Sequence, residues 1–549
     1  MAVLDPRAVL GRVVRALRTV FGNAQLRRIE LAYAAFTSAE WGVWIAVLVY
    51  AYGRGGTTEA AIAAVVQLVP AAVVAPAVAT LGDRRRSGRV LFAGYVAQAA
   101  AYAAVAALLL GGGPAALVYA TAAVATCAVT ITRPAMSALV PTLARTPDQL
   151  TATNVVSSWI ESLSVLVAPA VAGVLMTIGS PGLVFAVMSA AVAGGAYLSF
   201  AVPGPPPAGA GRPGEPLLAA SLRAARVLRA ERPARLLVIL LCTDFVALGA
   251  LDVLYPQLAI GTLGLGDGWA GYLNAAFGAG ATAAVVVTAA LVGRRRLVPP
   301  MLAGMALYLV AFVLLAAFPT PASALLLLAL AGAGRVVLDV SARTLVQRVA
   351  PADTVARMFG LLEGIAMAGL AVGSVLVAAL VAAGGVRVAI VGIGLLLPLA
   401  GLAAGRDLFS IDRHATVPVV EIGLLRSLPM FAALDPATLE ALARSLTPLD
   451  ASDGTVVIRE GDAGDSFYVI ASGAIRVEQR KKTIGLLGRG DGFGEIALLR
   501  DVPRTASCVA TGQTLLYALD KDTFVTAVTL HPAAGAEAER LVTAREAVT

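Results

Sequence analysis

The sequence predicts a polytopic α-helical membrane protein with twelve transmembrane helices in two six-helix halves. A small cytoplasmic β-roll domain with flanking helices follows them. Hydrophobic residues make up 58% of the 549-residue chain and charged residues only 14%, which is too little polar surface for a water-soluble chain of this length. The apolar residues form segments long enough to cross a bilayer. From about Asp412 onward, charges, glycines and short alternating runs replace these segments.

The apolar segments set the predicted domain boundaries. A membrane-spanning helix needs about 20 mostly apolar residues. The candidates are 29–52, 58–81, 90–111, 114–140, 151–178, 181–202, 234–261, 269–293, 299–318, 322–347, 358–383 and 386–405. The predicted domains are a basic N-terminal segment 1–28, a first half 29–202, a linker 203–233, a second half 234–405, a second linker 406–418 and a C-terminal domain 419–549.

The arginines predict the orientation in the membrane. They cluster in the N-terminal segment and in alternate loops, whereas the opposite loops hold only Arg54 and Arg387. Basic loops stay in the cytoplasm, so both termini and the C-terminal domain are expected there, in a multi-pass protein of the plasma (inner) membrane. Topology and contact with anionic lipid account for the net charge of +8, and no nucleic-acid partner is expected.

The composition argues against a disulfide framework, a metal site and an enzyme. Cys127 and Cys242 lie in apolar runs, and Cys508 lies beyond the domain boundary, which is not a disulfide pattern. His414 and His531 are the only histidines, so no metal cofactor is expected. The sequence has no evident nucleophile–base pair and no glycine-rich nucleotide-triphosphate loop.

The two halves look like a weak repeat, with Glu161 and Glu363 at similar depths in their spans. Such halves are a common plan of alternating-access transporters. The stretch from Gly82 to Arg89 after the second span resembles the loop signature of the major facilitator superfamily. Arg133-Pro134-Ala135 resembles its twelve-helix drug-exporter branch, and the stretch from Ala168 to Gly173 resembles an antiporter motif. The resemblance covers about residues 29–405 and implies secondary active export.

Charged residues inside the spans are candidates for transport or proton coupling, because an ionisable group in the membrane is costly. These candidates are Glu40, Glu161, Asp244, Asp339, Glu363, Arg335 and Arg343. Glu40 and Glu161 lead for proton coupling, with simple hydrogen bonding across helices as the alternative.

The charges in the tenth span and near the second loop allow two interpretations each. Arg335, Asp339 and Arg343 recur every four residues and share a helix face, as a charged cavity wall or as an ion ladder within one helix. Asp83, Arg84 and Arg133 are candidates for a cytoplasmic gate. In that interpretation Arg133 pairs with Asp83; otherwise it snorkels to the headgroups.

The C-terminal domain contains a sequence suited to binding a phosphate. Short runs separated by turn residues predict an antiparallel barrel or roll between helical stretches. Within it, a glycine at 494 permits close backbone approach, and the amides of the short helix that follows can hold an anion. Arg504 supplies a forked cation for a phosphate. The candidate residues are Phe493, Gly494, Glu495, Ile496, Ala497, Arg504, Thr505 and Ala506.

This stretch closely resembles the phosphate-binding cassette of cyclic-nucleotide-binding domains, and the resemblance covers about 419–549. It implies that Glu495 binds the ribose 2′-hydroxyl and that Arg504 pairs with the cyclic phosphate, with contacts from the amides of Gly494 and Ala506. Thr505 would bond the phosphate, or the guanine amino group if the ligand is cyclic GMP. The final helix would cover the base, with Leu541 as a contact. Cyclic AMP is favoured over cyclic GMP as regulatory ligand.

The sequence leaves three functions open. The first is a proton-coupled exporter of a small or amphiphilic molecule, regulated by cytoplasmic cyclic nucleotide. The second is a membrane-anchored cyclic-nucleotide receptor without transport, and the third is a lipid flippase. The expected partners are membrane lipid, a small-molecule substrate, the nucleotide and a second copy of the chain through the cytoplasmic domain.

Overall fold

The computed structural model describes residues 17–82, 87–144, 147–200, 202, 232–289, 296–349, 352–414, 419–432, 434, 436–480, 482–529 and 532–546. The chain divides into two compact units. One comprises Met1–Ala144 and Ala152–Ala415, and the other comprises Arg145–Thr151 and Thr416–Thr549. Of the predicted linker 203–233, only residues 232 and 233 are among the described residues.

The first unit is helical throughout its described length. Its helices are α1 (Ala24–Gly82), α2 (Ser87–Leu110), α3 (Ala115–Leu143), α4 (Pro147–Ile178), α5 (Pro181–Phe200), α6 (Arg232–Pro256), α7 (Gly268–Ala289), α8 (Val298–Ala317), α9 (Pro321–Val349) and α10 (Ala352–His414). A π-helical turn, Gln257–Thr262, continues α6. An α-helix satisfies its backbone polar groups internally, so it can cross lipid.

Two of these helices are interrupted at glycines. Gly56 in α1 has φ +64° and ψ −152°, and Gly385 in α10 has φ +77° and ψ −178°. Glycine takes this backbone without the steric cost of a Cβ atom. The interruptions fall between the predicted spans 29–52 and 58–81 and between 358–383 and 386–405.

Nine helical segments among the described residues are long and apolar enough to cross a membrane. The chain is therefore a multi-pass membrane protein. Two of the segments, Ala24–Val74 with 51 residues and Ile365–Gly405 with 41 residues, exceed one bilayer crossing. The predicted eighth span, which forms α7, is not among the nine. The number of twelve spans stays a prediction.

Close helix packing in the second half depends on small residues. A Cβ atom added to Gly249 of α6 would meet the backbone of Leu370, and one added to Gly373 of α10 would meet the backbone of Val246. Small residues allow this approach, and in lipid the resulting van der Waals contact replaces the hydrophobic effect as a driving force. These glycines thus hold α6 against α10.

The second unit contains a six-stranded antiparallel sheet between helices. The helices are α11 (Val419–Ser427), α12 (Pro429–Ala432), α13 (Pro436–Ser445), α14 (Glu495–Arg500), α15 (Lys521–Thr529) and α16 (Pro532–Glu546). The strands are β1 (Thr447–Ala451), β2 (Val456–Ile458), β3 (Ser466–Gln479), β4 (Lys482–Leu487), β5 (Gly492–Phe493) and β6 (Ser507–Asp520). The strand order is β1-β6-β3-β4, with β2 on β6 and β5 on β3.

The helices and the sheet share an aromatic core. The Phe467 and Phe524 rings stack with centroids 4.6 Å apart, and Phe431 contacts both edge-on. A second apolar cluster inside the sheet includes Ile470 and Phe493. Phe493 is the last residue of β5, so this cluster fixes the strand that leads into α14.

The strands differ from the predicted runs in two ways. The runs 467–471 and 475–478 form one strand, β3, because its register shifts around Gly473 (φ +87°) without ending the pairing with β6. The runs 506–510 and 514–519 likewise form one strand, β6. The sequence also misses β1, because four of its five residues are exposed and the alternation of buried and exposed residues is absent.

Two glycines of the C-terminal unit provide a matched test of this sheet. Gly473 and Gly512 both have left-handed φ angles, but a Cβ atom at Gly473 would meet Thr514 and the Gln513 carbonyl, whereas one at Gly512 would meet nothing within 4 Å. We expect Gly512→Ala to lower the free energy of unfolding by about 1 kcal/mol and Gly473→Ala by about 2–4 kcal/mol, because overpacking adds to the backbone cost. Urea unfolding of a 419–546 fragment checks this. Equal losses would contradict the steric argument.

Candidate nucleotide-binding site and charged residues of the membrane unit

The eight predicted cassette residues all line one cavity in the C-terminal unit. The cavity has a volume of about 260 Å³. Phe493 ends β5, Glu495 begins α14, and the segment around Arg504 leads into β6. Ala544 and Arg545 of the final helix also line the cavity. Residues 493–506, which are close in sequence, thus lie beside residues of the final helix in the cavity wall.

Arg504 is 5% exposed and is held by backbone carbonyls. Its Nη1 donates to the Gly494 carbonyl at 2.9 Å, and its Nη2 donates to the Ser466 carbonyl at 2.7 Å. The carboxylate that it meets, Asp465, lies 3.3 Å away and is 82% exposed, so water screens this pair. The guanidinium is oriented without a buried counter-charge, which suits it to an anionic ligand.

Gly494 is required both by its backbone and by its surroundings. Its φ of +93° and ψ of 1° are left-handed. A Cβ atom there would lie 2.7 Å from Arg504 Nη1 and 3.1 Å from the Ser466 carbonyl oxygen. Any other residue would therefore displace the guanidinium, which links the glycine to the position of the charge.

Glu495 is 1% exposed, and its two carboxylate oxygens differ. Oε1 accepts a hydrogen bond from Arg545 Nη1 at 2.7 Å. Oε2 is buried and has no hydrogen-bond partner among the described residues. An unsatisfied buried acceptor is costly, and a ligand hydroxyl would satisfy it. This observation fits the ribose contact that the resemblance implies.

Arg545 is the residue of this site that the sequence reasoning missed. The final helix was expected to reach the ligand through Leu541, but Leu541 packs against the aromatic core. The cavity lining instead includes Ala544 and Arg545. Arg545 lies 50 residues from Glu495, so no local spacing links the two. A basic residue in the last turn of α16 was the only signal.

The remaining wall of the cavity is mostly apolar. It includes Ile458, Val477, Ile484 and Leu487. Cys508 belongs to the same wall, and burial raises the pKa of its thiol to about 12, so the thiol stays neutral at physiological pH. Thr505 is exposed at the mouth. One wall thus carries charge and hydrogen-bonding groups, and the other offers an apolar surface to a flat ring.

In the membrane unit, Arg133 joins two of the predicted acids. Its Nη1 donates to Glu161 at 2.7 Å and its Nη2 donates to Glu40 at 2.9 Å, which connects α3 with α4 and α1. The interpretation in which Arg133 snorkels to the headgroups is corrected, because its guanidinium is held between two acids. Asp83 and Arg84 lie outside the described residues, so their part in a gate stays a prediction.

Two ion pairs among the described residues of the second half involve predicted acids. Arg335 binds Asp244 with two hydrogen bonds, of 2.9 and 2.6 Å, and Asp244 is fully buried. Arg343 pairs with Asp339 one turn away on α9. The ladder along one helix is therefore formed only in part, because Arg335 reaches across to α6. Glu363 lies on α10, and its side chain is outside the described residues.

Two further acids of the membrane unit were not among the predicted sites. Glu30 is buried at the start of α1 and accepts a hydrogen bond from Ser157 at 2.8 Å. Asp252 accepts a hydrogen bond from the Trp44 indole at 3.0 Å. Tyr52 donates to Gln257 at 3.0 Å, so both bonds link the two halves.

The family model of the Major Facilitator Superfamily matches residues 29–354, which is more than half of the chain. The chain belongs to the major facilitator superfamily. The family model of the cyclic nucleotide-binding domain matches residues 449–529 of this superfamily member.

Several curated relatives match less than a fifth of this chain. A cAMP-dependent protein kinase regulatory subunit of Yarrowia lipolytica is 38% identical over 104 residues, covering 19% of this chain and 28% of the relative. The acetyltransferase Pat of Mycolicibacterium smegmatis is 40% identical over 106 residues, covering 19% and 32%. The chain thus spans less than a third of the length of these relatives.

Solved structures are also similar to about a quarter of this chain. A cAMP-bound PfPKA-R structure shares 26% identity at a TM-score of 0.24 and covers 26% of this chain and 51% of that chain. The Thermus thermophilus catabolite activator protein shares 28% identity at a TM-score of 0.20 and covers 22% and 58%.

The buried pair of Asp244 and Arg335 should matter more to stability than the pair of Asp339 and Arg343. Asp244→Asn leaves Arg335 without its carboxylate, which we expect to cost about 3–5 kcal/mol. Asp339→Asn removes a partly exposed pair and should cost under about 1 kcal/mol. Thermal unfolding of the purified protein in detergent measures both. The double swap Asp244→Arg with Arg335→Asp should recover part of the loss. Equal effects of the two single variants would contradict this ranking.

Proposed function

We propose that this protein is a secondary active transporter whose activity is regulated by a cytoplasmic cyclic nucleotide. The observation that carries the proposal is the cavity of the C-terminal unit. There the Arg504 guanidinium is oriented by backbone carbonyls, with the exposed Asp465 carboxylate 3.3 Å away, and Glu495 Oε2 has no hydrogen-bond partner among the described residues. These are the two groups that a cyclic phosphate fused to a ribose requires. The membrane unit to which this cavity is joined in sequence belongs to a transporter superfamily.

The ligand that fits this cavity best is cyclic AMP, with cyclic GMP as the second choice. The phosphate would lie against Arg504, the ribose hydroxyl at Glu495 Oε2, and the base against the apolar wall. Several relatives that share this segment are cAMP-dependent regulatory subunits, which supports cyclic AMP. In this scheme Thr505, exposed at the mouth, approaches the phosphate or, with cyclic GMP, the base.

Arg545 provides a route from the nucleotide to the final helix. The Arg545 guanidinium and a ribose hydroxyl would share the carboxylate of Glu495. Binding would therefore change how firmly α16 is held to the cassette. The nucleotide can bias a conformational equilibrium of the transporter only by its differential affinity for the two states.

The proposed transport is proton-coupled export of a small or amphiphilic molecule by alternating access. Acids inside the first half and two ion pairs inside the second support a polar pathway between apolar helices. The arginine-rich loops support a cytoplasmic location for the C-terminal unit by the positive-inside rule. The proposed location of the membrane unit is the plasma (inner) membrane. The proposed role is not enzymatic.

Nucleotide binding is tested by calorimetry of the full chain in detergent with both cyclic nucleotides. We expect Arg504→Ala to weaken cyclic AMP binding by about 2–5 kcal/mol, because a charged phosphate loses its partner. Arg504→Lys keeps the charge but not the fork, so it should recover only part of the affinity. Arg476→Ala, at a partly exposed pair on β3, is the control and should bind normally. Unchanged affinity in Arg504→Ala refutes the binding site.

Regulation is tested in proteoliposomes under an imposed proton gradient. A panel of amphiphilic cations, anions and neutral dyes is screened for uptake that collapses the gradient, read with an internal pH dye. With a transported dye in hand, saturating cyclic AMP on the cassette side should change the rate, and Arg504→Ala should not respond. Equal transport rates with and without nucleotide would refute the proposed regulation. Normal nucleotide binding without transport of any probe would favour a receptor.

A further inference from the structure

Glu30, at the start of α1, differs from the other described acids of the first half. It is 1% exposed, and the one hydrogen bond to its carboxyl group comes from the Ser157 hydroxyl to Oε1 at 2.8 Å. Its Oε2 is buried without a partner among the described residues. A carboxylate taken out of water without a basic partner costs several kcal/mol, whereas the neutral acid does not pay for a buried charge.

The titratable groups that the structure describes around Glu30 do not supply the missing charge. Tyr33 on the same helix and Tyr95 on α2 lie within electrostatic reach of it, and both are neutral phenols. The Tyr95 hydroxyl is also buried without a partner among the described residues. Arg27, one turn before Glu30, is exposed and donates to the Phe21 carbonyl. On α5, which packs against α1, the titratable side chain is Tyr197, and it is exposed.

Glu40 and Glu161 are in the opposite situation. Arg133 donates to both, at 2.9 and 2.7 Å, and both are partly exposed. A guanidinium does not lose its proton in proteins, so both acids have a permanently charged basic partner. The two acids that the sequence selects for proton coupling are therefore paired with a base, whereas Glu30 Oε2 has no partner among the described residues.

We propose that Glu30 is the site that binds and releases the proton in the transport cycle, while Glu40 and Glu161 form a permanent ion cluster with Arg133. This assignment rests on the proposed proton-coupled transport. The chemical step is a simple exchange. The O–H bond of the neutral Glu30 acid breaks, its proton passes to a water molecule admitted when the helices separate, and the carboxylate keeps the electron pair. The reverse step reloads the site.

A buried polar seam leads from Glu30 toward the ion cluster. Thr37, two turns along α1, shares a hydrogen bond of 2.8 Å with Ser164 of α4, and both are buried. Ser157, the partner of Glu30, lies one turn before Glu161 on the same helix. The α1–α4 interface therefore carries hydroxyl groups along its length. Movement of α1 against α4 would alter the environment of Glu30 and of the ion cluster together.

Infrared spectroscopy of the full chain in lipid tests the assignment without knowledge of the substrate. Neutral carboxylic acids have a carbonyl stretch that is separate from the carboxylate bands. At neutral pH, the wild-type protein should show such a band, which disappears in alkaline buffer. Glu30→Gln keeps the shape and a carbonyl acceptor for Ser157 but cannot titrate. In an Asp252→Asn background, which removes the buried acid that Trp44 contacts, the band should therefore be missing. Glu40→Gln and Glu161→Gln should retain it.

The result that overturns the proposal is a band that persists when Glu30→Gln is combined with Asp252→Asn, or that vanishes when Glu40→Gln or Glu161→Gln is combined with it. If Glu30→Gln does not fold, Ser157→Ala replaces it. Loss of the Ser157 hydrogen bond should shift the band to higher frequency, and an unshifted band refutes the assignment. The proteoliposome assay separates this failure from that of the proposed function. Proton-coupled uptake without a Glu30 band refutes the Glu30 assignment alone, whereas a Glu30 band in a protein that moves no protons refutes the coupling.

Discussion

A guanidinium group keeps its charge throughout the physiological pH range, so an arginine that leaves water has to be surrounded by oxygen atoms. Three arginines in the described part of the chain satisfy this constraint in three ways. Arg335 meets one buried carboxylate, Asp244, and the pair is neutral. Arg133 meets two carboxylates on two other helices. Arg504 meets two backbone carbonyls and one exposed carboxylate, Asp465.

The partners of each arginine correspond to its role. The buried pair of Arg335 and Asp244 fixes α6 against α9. Arg504 is oriented by backbone carbonyls and by an exposed carboxylate, so it can still bind an anion, which is why we assign its site to a phosphate. Arg133 pairs with Glu40 and Glu161, and this leaves Glu30, which has no basic partner among the described residues, as the acid that we assign to proton exchange.

The sequence predicts local features well and distant pairings poorly. The eight cassette residues lie between Phe493 and Ala506, so their common cavity follows from one short loop and helix. Asp339 and Arg343 pair because they are one helical turn apart. By contrast, Arg133 and Glu40 are 93 residues apart, and Glu495 and Arg545 are 50 apart. Such pairs depend on helix packing, which the hydrophobic pattern does not encode. The exposed strand β1 lacks even that pattern.

The two hydrogen bonds from Trp44 to Asp252 and from Tyr52 to Gln257 have a thermodynamic consequence for the two halves of the membrane unit. A hydrogen bond between neutral groups contributes about 1 kcal/mol net. Breaking both without replacement would change the ratio of joined to separated halves by about thirtyfold. A ligand that binds the separated state about thirtyfold more tightly than the joined state would offset the contribution of these two hydrogen bonds. A single regulatory ligand can have a difference in affinity of that size. The free energy of these two hydrogen bonds is therefore small enough for ligand binding to overcome.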